Sequence, residues 1–198
     1  DDRISMSDHY DHVYKIVVVG DQGVGKSWLS SQYLLNYTSE EAQEGIYSAV
    51  KTIGGKTYHL SFWEVNTKPE MEKLHVLIYP GTDAYLVCFD VHQPQSLHNA
   101  IHKWIPEIQY HTPGYPHLLV GCKTDGESNI SLKEANKVAK ESGAYQYVET
   151  SASKHELDAL DTFWPQVHRL QLQLHGQDNT IPANNASDEG CCSCCPCW

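Results

Sequence analysis

No stretch of the 198 residues runs to about eighteen consecutive apolar side chains, so no bilayer-spanning helix is expected. Positive charge is scarce as well: 14 Lys and Arg stand against 25 Asp and Glu, a formal net charge of −11. No basic stripe stands out, which argues against nucleic acid as a partner. After Arg169 there is no Lys or Arg at all, so no polybasic patch can assist membrane binding there. The opening residues Asp1–Asp11 are acidic and polar and do not have the order of a secretory signal.

Cysteine is present but unevenly spread. Of seven, Cys88 and Cys122 fall in apolar strand-like runs and read as core packing. The other five crowd into Cys191-Cys192-Ser193-Cys194-Cys195-Pro196-Cys197-Trp198. A disulfide framework would spread through a small secreted domain, so a reducing, cytosolic compartment is expected. His98 and His102 stand four apart on an expected helix and could share a metal. No third ligand is evident, and two histidines alone rarely make a dedicated site.

Strand-like and helix-like runs alternate. Strands are expected over 14–20, 47–53, 57–65, 84–91, 118–122 and 145–148, and helices over 28–36, 95–111, 132–142 and 155–174. The alternation implies a mostly parallel sheet with helices on both faces. Gly54-Gly55 reads as a hairpin turn, making that edge antiparallel. Leu97, Ile101, Trp104, Ile105 and Ile108 share one helical stripe, as do Leu157, Leu160, Trp164 and Val167. Pro106 and Pro165 lie inside these helices and should kink them or shift their boundaries. Residues 1–12 read as a flexible N-terminal extension and 13–174 as one domain. Residues 175–198 read as a disordered linker and a Cys-rich tail, because 176–190 is polar and without hydrophobic period.

The first strand runs into Gly20-Asp21-Gln22-Gly23-Val24-Gly25-Lys26-Ser27, and a helix opens at Trp28. A G-x-x-x-x-G-K-[ST] loop in a strand–loop–helix setting is a phosphate cradle. Its glycines let backbone N–H groups turn toward phosphates, Lys26 can reach the β- and γ-phosphates, and the Ser27 hydroxyl can ligate Mg²⁺. Gln22 is the odd residue, a bulky side chain inside the loop.

Two further segments close strands: Gly121-Cys122-Lys123-Thr124-Asp125 and Glu149-Thr150-Ser151-Ala152. With the loop, they resemble the base-recognition elements of Ras-superfamily small GTPases. Leu77-Ile78-Tyr79-Pro80 and Lys103-Trp104-Ile105-Pro106-Glu107-Ile108 are similar to the Rho branch. The short Gly126–Ile130 leaves no room for the extra helix typical of Rho proteins. The resemblance implies a Ras-like P-loop α/β domain, with six strands and one antiparallel edge, that binds GTP or GDP with Mg²⁺. It implies that Asp125 accepts two hydrogen bonds from guanine, that the Lys123 stem packs over the base, and that the Ala152 N–H meets O6. Ser151 would support that loop. Val24, Trp28 and Ser153 would lie against the nucleotide, and Tyr37 would wall the base. Cys122 stands where the superfamily usually has Asn.

Against the same resemblance, the hydrolytic parts are altered. Gln22 replaces a glycine beside the γ-phosphate and should crowd both the attacking water and an inserted arginine. After Phe62-Trp63 the family reads Asp-Thr-Ala-Gly-Gln-Glu, whereas this chain reads Glu64-Val65-Asn66-Thr67-Lys68-Pro69. Glu64 would hold Mg²⁺ through water, Thr67 replaces a glycine, and Lys68 replaces the water-orienting glutamine. Lysine cannot accept a hydrogen bond from the attacking water. No threonine of the short 37–46 segment falls in register for the Mg²⁺ contact. These changes together favour binding over catalysis, so no catalytic residue is assigned. Two alternatives stay open: a working GTPase completed by a partner, and a nucleotide-free interaction module.

The tail resembles the multiply palmitoylated ends of some atypical Rho and Rab proteins. A terminal Trp is not a usual prenylation signal, and several acyl chains are needed for a stable anchor. Cys191, Cys192, Cys194, Cys195 and Cys197 are therefore the lipidation candidates. They imply attachment to the cytoplasmic face of a membrane, with effector or regulatory proteins as partners.

Overall fold

The structure is a computed structural model that describes residues 10–34 and 45–175. Six strands, β1 (His12–Val19), β2 (Ile46–Ile53), β3 (Lys56–Glu64), β4 (Ala84–Asp90), β5 (His117–Cys122) and β6 (Tyr147–Thr150), lie in the order β2-β3-β1-β4-β5-β6. Every pairing is parallel except β2 with β3. Gly54 and Gly55 join that antiparallel pair with φ of 58° and 79°. Two successive positive φ values are what a two-residue hairpin turn requires, and glycine adopts them without strain. Every residue of β4 and β5 is buried, the mark of parallel strands covered on both faces.

Alternation within the strands divides the core in two. Ile16, Val18, Leu60, Phe62 and Val120 pack on one face with Leu29 of α1 (Lys26–Tyr33) and Trp164 and Val167 of α5 (Trp164–His175). Val17, Val19, Phe89 and Leu119 pack on the other with Leu97 of α2 (Pro94–Asn99), Ile105 and Ile108 of α3 (Ile105–His111) and Ala135 of α4 (Leu132–Ser142). Helix α4 opens on Ser131, whose hydroxyl accepts the Glu134 N–H at 3.2 Å, and closes on Gly143 at φ 75°. The far end of α1 is also fixed. The Tyr33 hydroxyl donates to Asp161 and accepts the Trp164 indole N–H, while Lys51 Nζ sits 3.7 Å from the Tyr33 ring centroid.

Three elements differ from the sequence expectation. The helix expected over 95–111 is α2, a π-helical turn at Ala100–Trp104 and then α3, with the Ile105 N–H reaching back to Ala100. Pro106 explains it. The ring has no N–H to give and crowds the carbonyl four residues earlier, so the chain widens by one residue there. The helix expected from 155 begins instead at Trp164, with Pro165 in its first turn where proline is tolerated, after a 3-10 turn at Asp158–Thr162. A 3-10 helix at Pro69–Leu77 had no periodic signal.

Candidate functional site

The carboxyl ends of β1, β4, β5 and β6 open on one side of the sheet, where ligands of such sheets lie. At the first end the chain turns through the Gly20–Ser27 loop. A Cβ on Gly20 would overlap the carbonyl oxygen of Cys88, so only glycine lets β1 leave beside β4. Gly25, at φ 111°, is the N-cap of α1 and offers no side chain, which leaves the first helical N–H groups facing outward. Lys26 is buried, and its Nζ donates to the carbonyls of Gly20 at 2.7 Å and Asp21 at 2.8 Å. Burial lowers its pKa, partly opposed by nearby acidic groups that include Glu64 and Asp21.

Gln22, Gly23, Lys26, Ser27, Gly45, Glu64, Val65, Asn66 and Thr67 line a cavity of about 300 Å³ at this loop. Ser27 Oγ donates to Glu64 Oε2 at 2.7 Å. Glu64 Oε1 is buried and has no hydrogen-bond partner among the described residues. Burial raises the Glu64 pKa, with the Ser27 and Ser30 hydroxyls and Lys26 opposing. A hydroxyl and an unpartnered carboxylate oxygen are hard donors, so these two residues fit Mg²⁺. Gln22 is exposed at the mouth. The Lys68 side chain is exposed, and its backbone N–H bonds Asn66 Oδ1 at 3.1 Å.

A second cavity of about 420 Å³ adjoins it, lined by Gly25, Trp28, Leu29, His92, Cys122, Lys123, Asp125, Thr150, Ala152 and Ser153. Lys123, at φ 65°, is one of two described non-glycine residues in the left-handed region; the other is His155, past the Ala152 loop. Such strain collects where backbone geometry serves a site. The Lys123 ammonium reaches Gly23 O at 2.7 Å and Asp90 Oδ2 at 2.8 Å, tying this loop to the phosphate loop. Asp125 is held below the usual carboxylate pKa first by its own backbone N–H and then by the Ser153 and Ser151 hydroxyls. It is therefore an ionised acceptor at the cavity wall.

The structure thus brings together most of the residues expected at the site. Gly20, Val24 and Ser151 line neither cavity. Val24 is in the core, and Ser151 is buried beneath, its hydroxyl 3.4 Å from Asp125 Oδ1 and 3.1 Å from Ser153 Oγ. Tyr37 and the five tail cysteines lie outside the described residues. Sequence reasoning missed Asp90, which ends an otherwise apolar strand at its carboxyl end, a legible signal. It also missed Asp21, whose carboxylate accepts the Asn99 amide at 2.7 Å and the Trp104 indole at 2.9 Å. Nor did it find His75, which is buried and joins Asn66 O at 2.8 Å to Glu107 at 3.2 Å, pinning the segment after β3 against α3.

Comparison with known proteins agrees with this geometry. The Ras family model matches residues 15–169. Among curated proteins, a "GTP-binding RHO-like protein" of Candida albicans (strain WO-1) is 40% identical over 146 residues, which is 70% of this chain and 41% of that protein. The chain thus spans about two fifths of that relative's length. With the loops in place and well over half its length matched, the chain belongs to the Ras family and is Rho-like in sequence.

Proposed function

We propose that this chain binds guanine nucleotide and acts as a Rho-like signalling protein that hydrolyses GTP slowly or not at all. One observation carries the reading. Lys26, Ser27 and Asp125 stand where phosphates and a guanine would be held, while Lys68, in place of the water-orienting glutamine, is exposed and offers no acceptor. Ser27 would hold Mg²⁺, with Glu64 behind it. The ion would neutralise phosphate charge, and the protein's own share is orientation: Lys26 on the phosphates, Lys123 bracing the loop, Asp125 choosing the base. A mismatched base would leave that carboxylate unpaired.

Met71, Leu74, Val76 and Leu77 expose apolar side chains along the 3-10 helix, supporting an effector or regulatory protein as partner. The tail cysteines would carry acyl chains and place the domain on the cytoplasmic face of a membrane. Hydroxylamine, which cleaves thioesters, is expected to release the protein from membranes; retention would defeat the acyl anchor. The central experiment pairs identification of the nucleotide extracted from purified protein with single-turnover GTP hydrolysis. Bound guanine nucleotide with hydrolysis over hours supports the reading. Fast hydrolysis without a helper overturns the slow-turnover part, and a chain with no measurable GTP affinity overturns the whole.

A further inference from the structure

Three of the described tryptophans are committed to the fold. Trp104 and Trp164 are buried, and their indole N–H groups donate to Asp21 and Tyr33. Trp63 is half-buried and donates to Ser61 at 2.9 Å. Trp28 is unlike them. It is 58% exposed, and its indole N–H has no hydrogen-bond partner among the described residues. An indole carries a large apolar area together with a polar edge, so one left in water without either being used is uncommon.

Its position says what would use it. Trp28 follows Ser27 directly and lines the second cavity, whose floor is made apolar by Leu29 and Cys122. The ionised Asp125 acceptor lies at the wall of the same cavity, and the N-terminus of α1 lies beside the phosphate loop. A ligand with donors at one end, anionic groups at the other and a flat, weakly polar middle satisfies all three, and a purine nucleoside phosphate has that form. Resting on the nucleotide reading above, we propose that Trp28 is the aromatic wall of this cavity. Its indole lies against the nucleoside of the bound guanine nucleotide, and binding covers it.

The consequence is a nucleotide retained partly by stacking. Base–aromatic stacking is lost when the ring is cut to alanine and largely kept when another ring replaces it. The test uses the full chain, with the Trp28 indole N–H signal in the NMR spectrum assigned by its disappearance in Trp28→Phe. GDP is expected to shift that signal and to protect the Trp28 fluorescence from quenching by acrylamide, whereas inorganic pyrophosphate, which fills only the phosphate end, leaves the signal in place. Trp28→Ala is expected to release GDP about tenfold faster, and Trp28→Phe within about threefold of the parent. GDP that binds without moving the signal overturns the proposal, as does a Trp28→Ala release rate within about twofold of the parent. So does pyrophosphate moving the signal as far as GDP, for then Trp28 reports the loop and not the nucleoside. A parent chain that binds neither GDP nor GTP by calorimetry is a separate result and defeats the nucleotide reading itself.

Discussion

Ser27 and Glu64, 37 positions apart in the chain, meet through a 2.7 Å hydrogen bond that occupies one carboxylate oxygen and leaves the other buried, with no hydrogen-bond partner among the described residues. The bond fixes the carboxylate, and burial makes its charge costly until a cation faces it. A hydroxyl and a carboxylate so placed are hard donors of the kind Mg²⁺ takes, although glutamate is one methylene longer than the aspartate the family uses there.

That relationship gives the first prediction. Removing the carboxylate in Glu64→Ala takes away a charged acceptor whose bonds are worth roughly 1.5–3 kcal/mol, or about 10–100-fold. GDP release in excess Mg²⁺ is expected to quicken by about tenfold or more, while release in chelator changes less than about threefold. Stopped-flow displacement of a fluorescent GDP analogue measures both. Equal acceleration in the two conditions would show that Glu64 acts on the fold and not on the ion.

Asp21 is the second test. Its carboxylate joins the phosphate loop to Asn99 and to the buried Trp104 indole, at 2.7 and 2.9 Å. Asp21→Ala leaves that indole N–H without an acceptor in a dry setting, which costs about 1–3 kcal/mol beyond the lost bonds themselves. A fall in unfolding free energy of about 2–4 kcal/mol is expected from urea titration. Asp21→Asn, which keeps one acceptor, should lose roughly half as much. No change in the urea midpoint would mean the loop is held elsewhere.

What could be read in advance follows from how far apart the cooperating residues stand. The phosphate loop, the Gly54-Gly55 turn and the Ser131–Glu134 cap are local, each fixed within a few positions by backbone conformation or capping chemistry. The sheet was legible because buried strands must be apolar and alternate with helices. Asp21 with Trp104, Lys123 with Gly23 and His75 with Glu107 are separated by 83, 100 and 32 positions, and no periodicity announces such pairs. The π-helical turn before Pro106 was half legible: proline foretold an irregularity but not its form. The 3-10 helix at Pro69–Leu77 exposes Met71, Leu74 and Val76 and so lacks the buried stripe that marks a packed helix.

His117 supplies a pH dependence. It is buried at the start of β5, its Nε2 has no hydrogen-bond partner among the described residues, and burial lowers its pKa from 6.5 against a backbone bond at Tyr115. The folded state therefore keeps the ring neutral, and the unfolded chain takes the proton first as pH falls. Stability from this residue is complete above about pH 6.5 and is lost as pH drops from there toward the folded pKa. His12 adds a slope of the same sign, its pKa lowered by burial and by His168. In His117→Phe, the urea midpoint is expected to vary less between about pH 6.5 and 5.5 than in the parent. A steeper slope in the variant would reverse the assignment.

The last prediction concerns hydrolysis, where three residues must change together. Lys68 is exposed and cannot accept a proton-bearing hydrogen bond from water. Lys68→Gln supplies the acceptor, yet Thr67 and Gln22 still line the cavity at the phosphate loop, where they are expected to crowd the attacking water. Lys68→Gln alone is therefore expected to leave the single-turnover rate within about threefold of the parent. Adding Thr67→Gly and Gln22→Gly relieves that crowding, and the triple variant is expected to hydrolyse GTP about 10–100-fold faster, toward the lower range of what a positioned proton acceptor contributes. GDP affinity in the triple variant should stay close to the parent's, because Lys26, Ser27 and Asp125 are untouched. If Lys68→Gln alone gives the full gain, crowding by Gln22 and Thr67 is not what slows the chemistry. If the triple variant gains nothing, neither Lys68 nor crowding by Gln22 and Thr67 limits the rate.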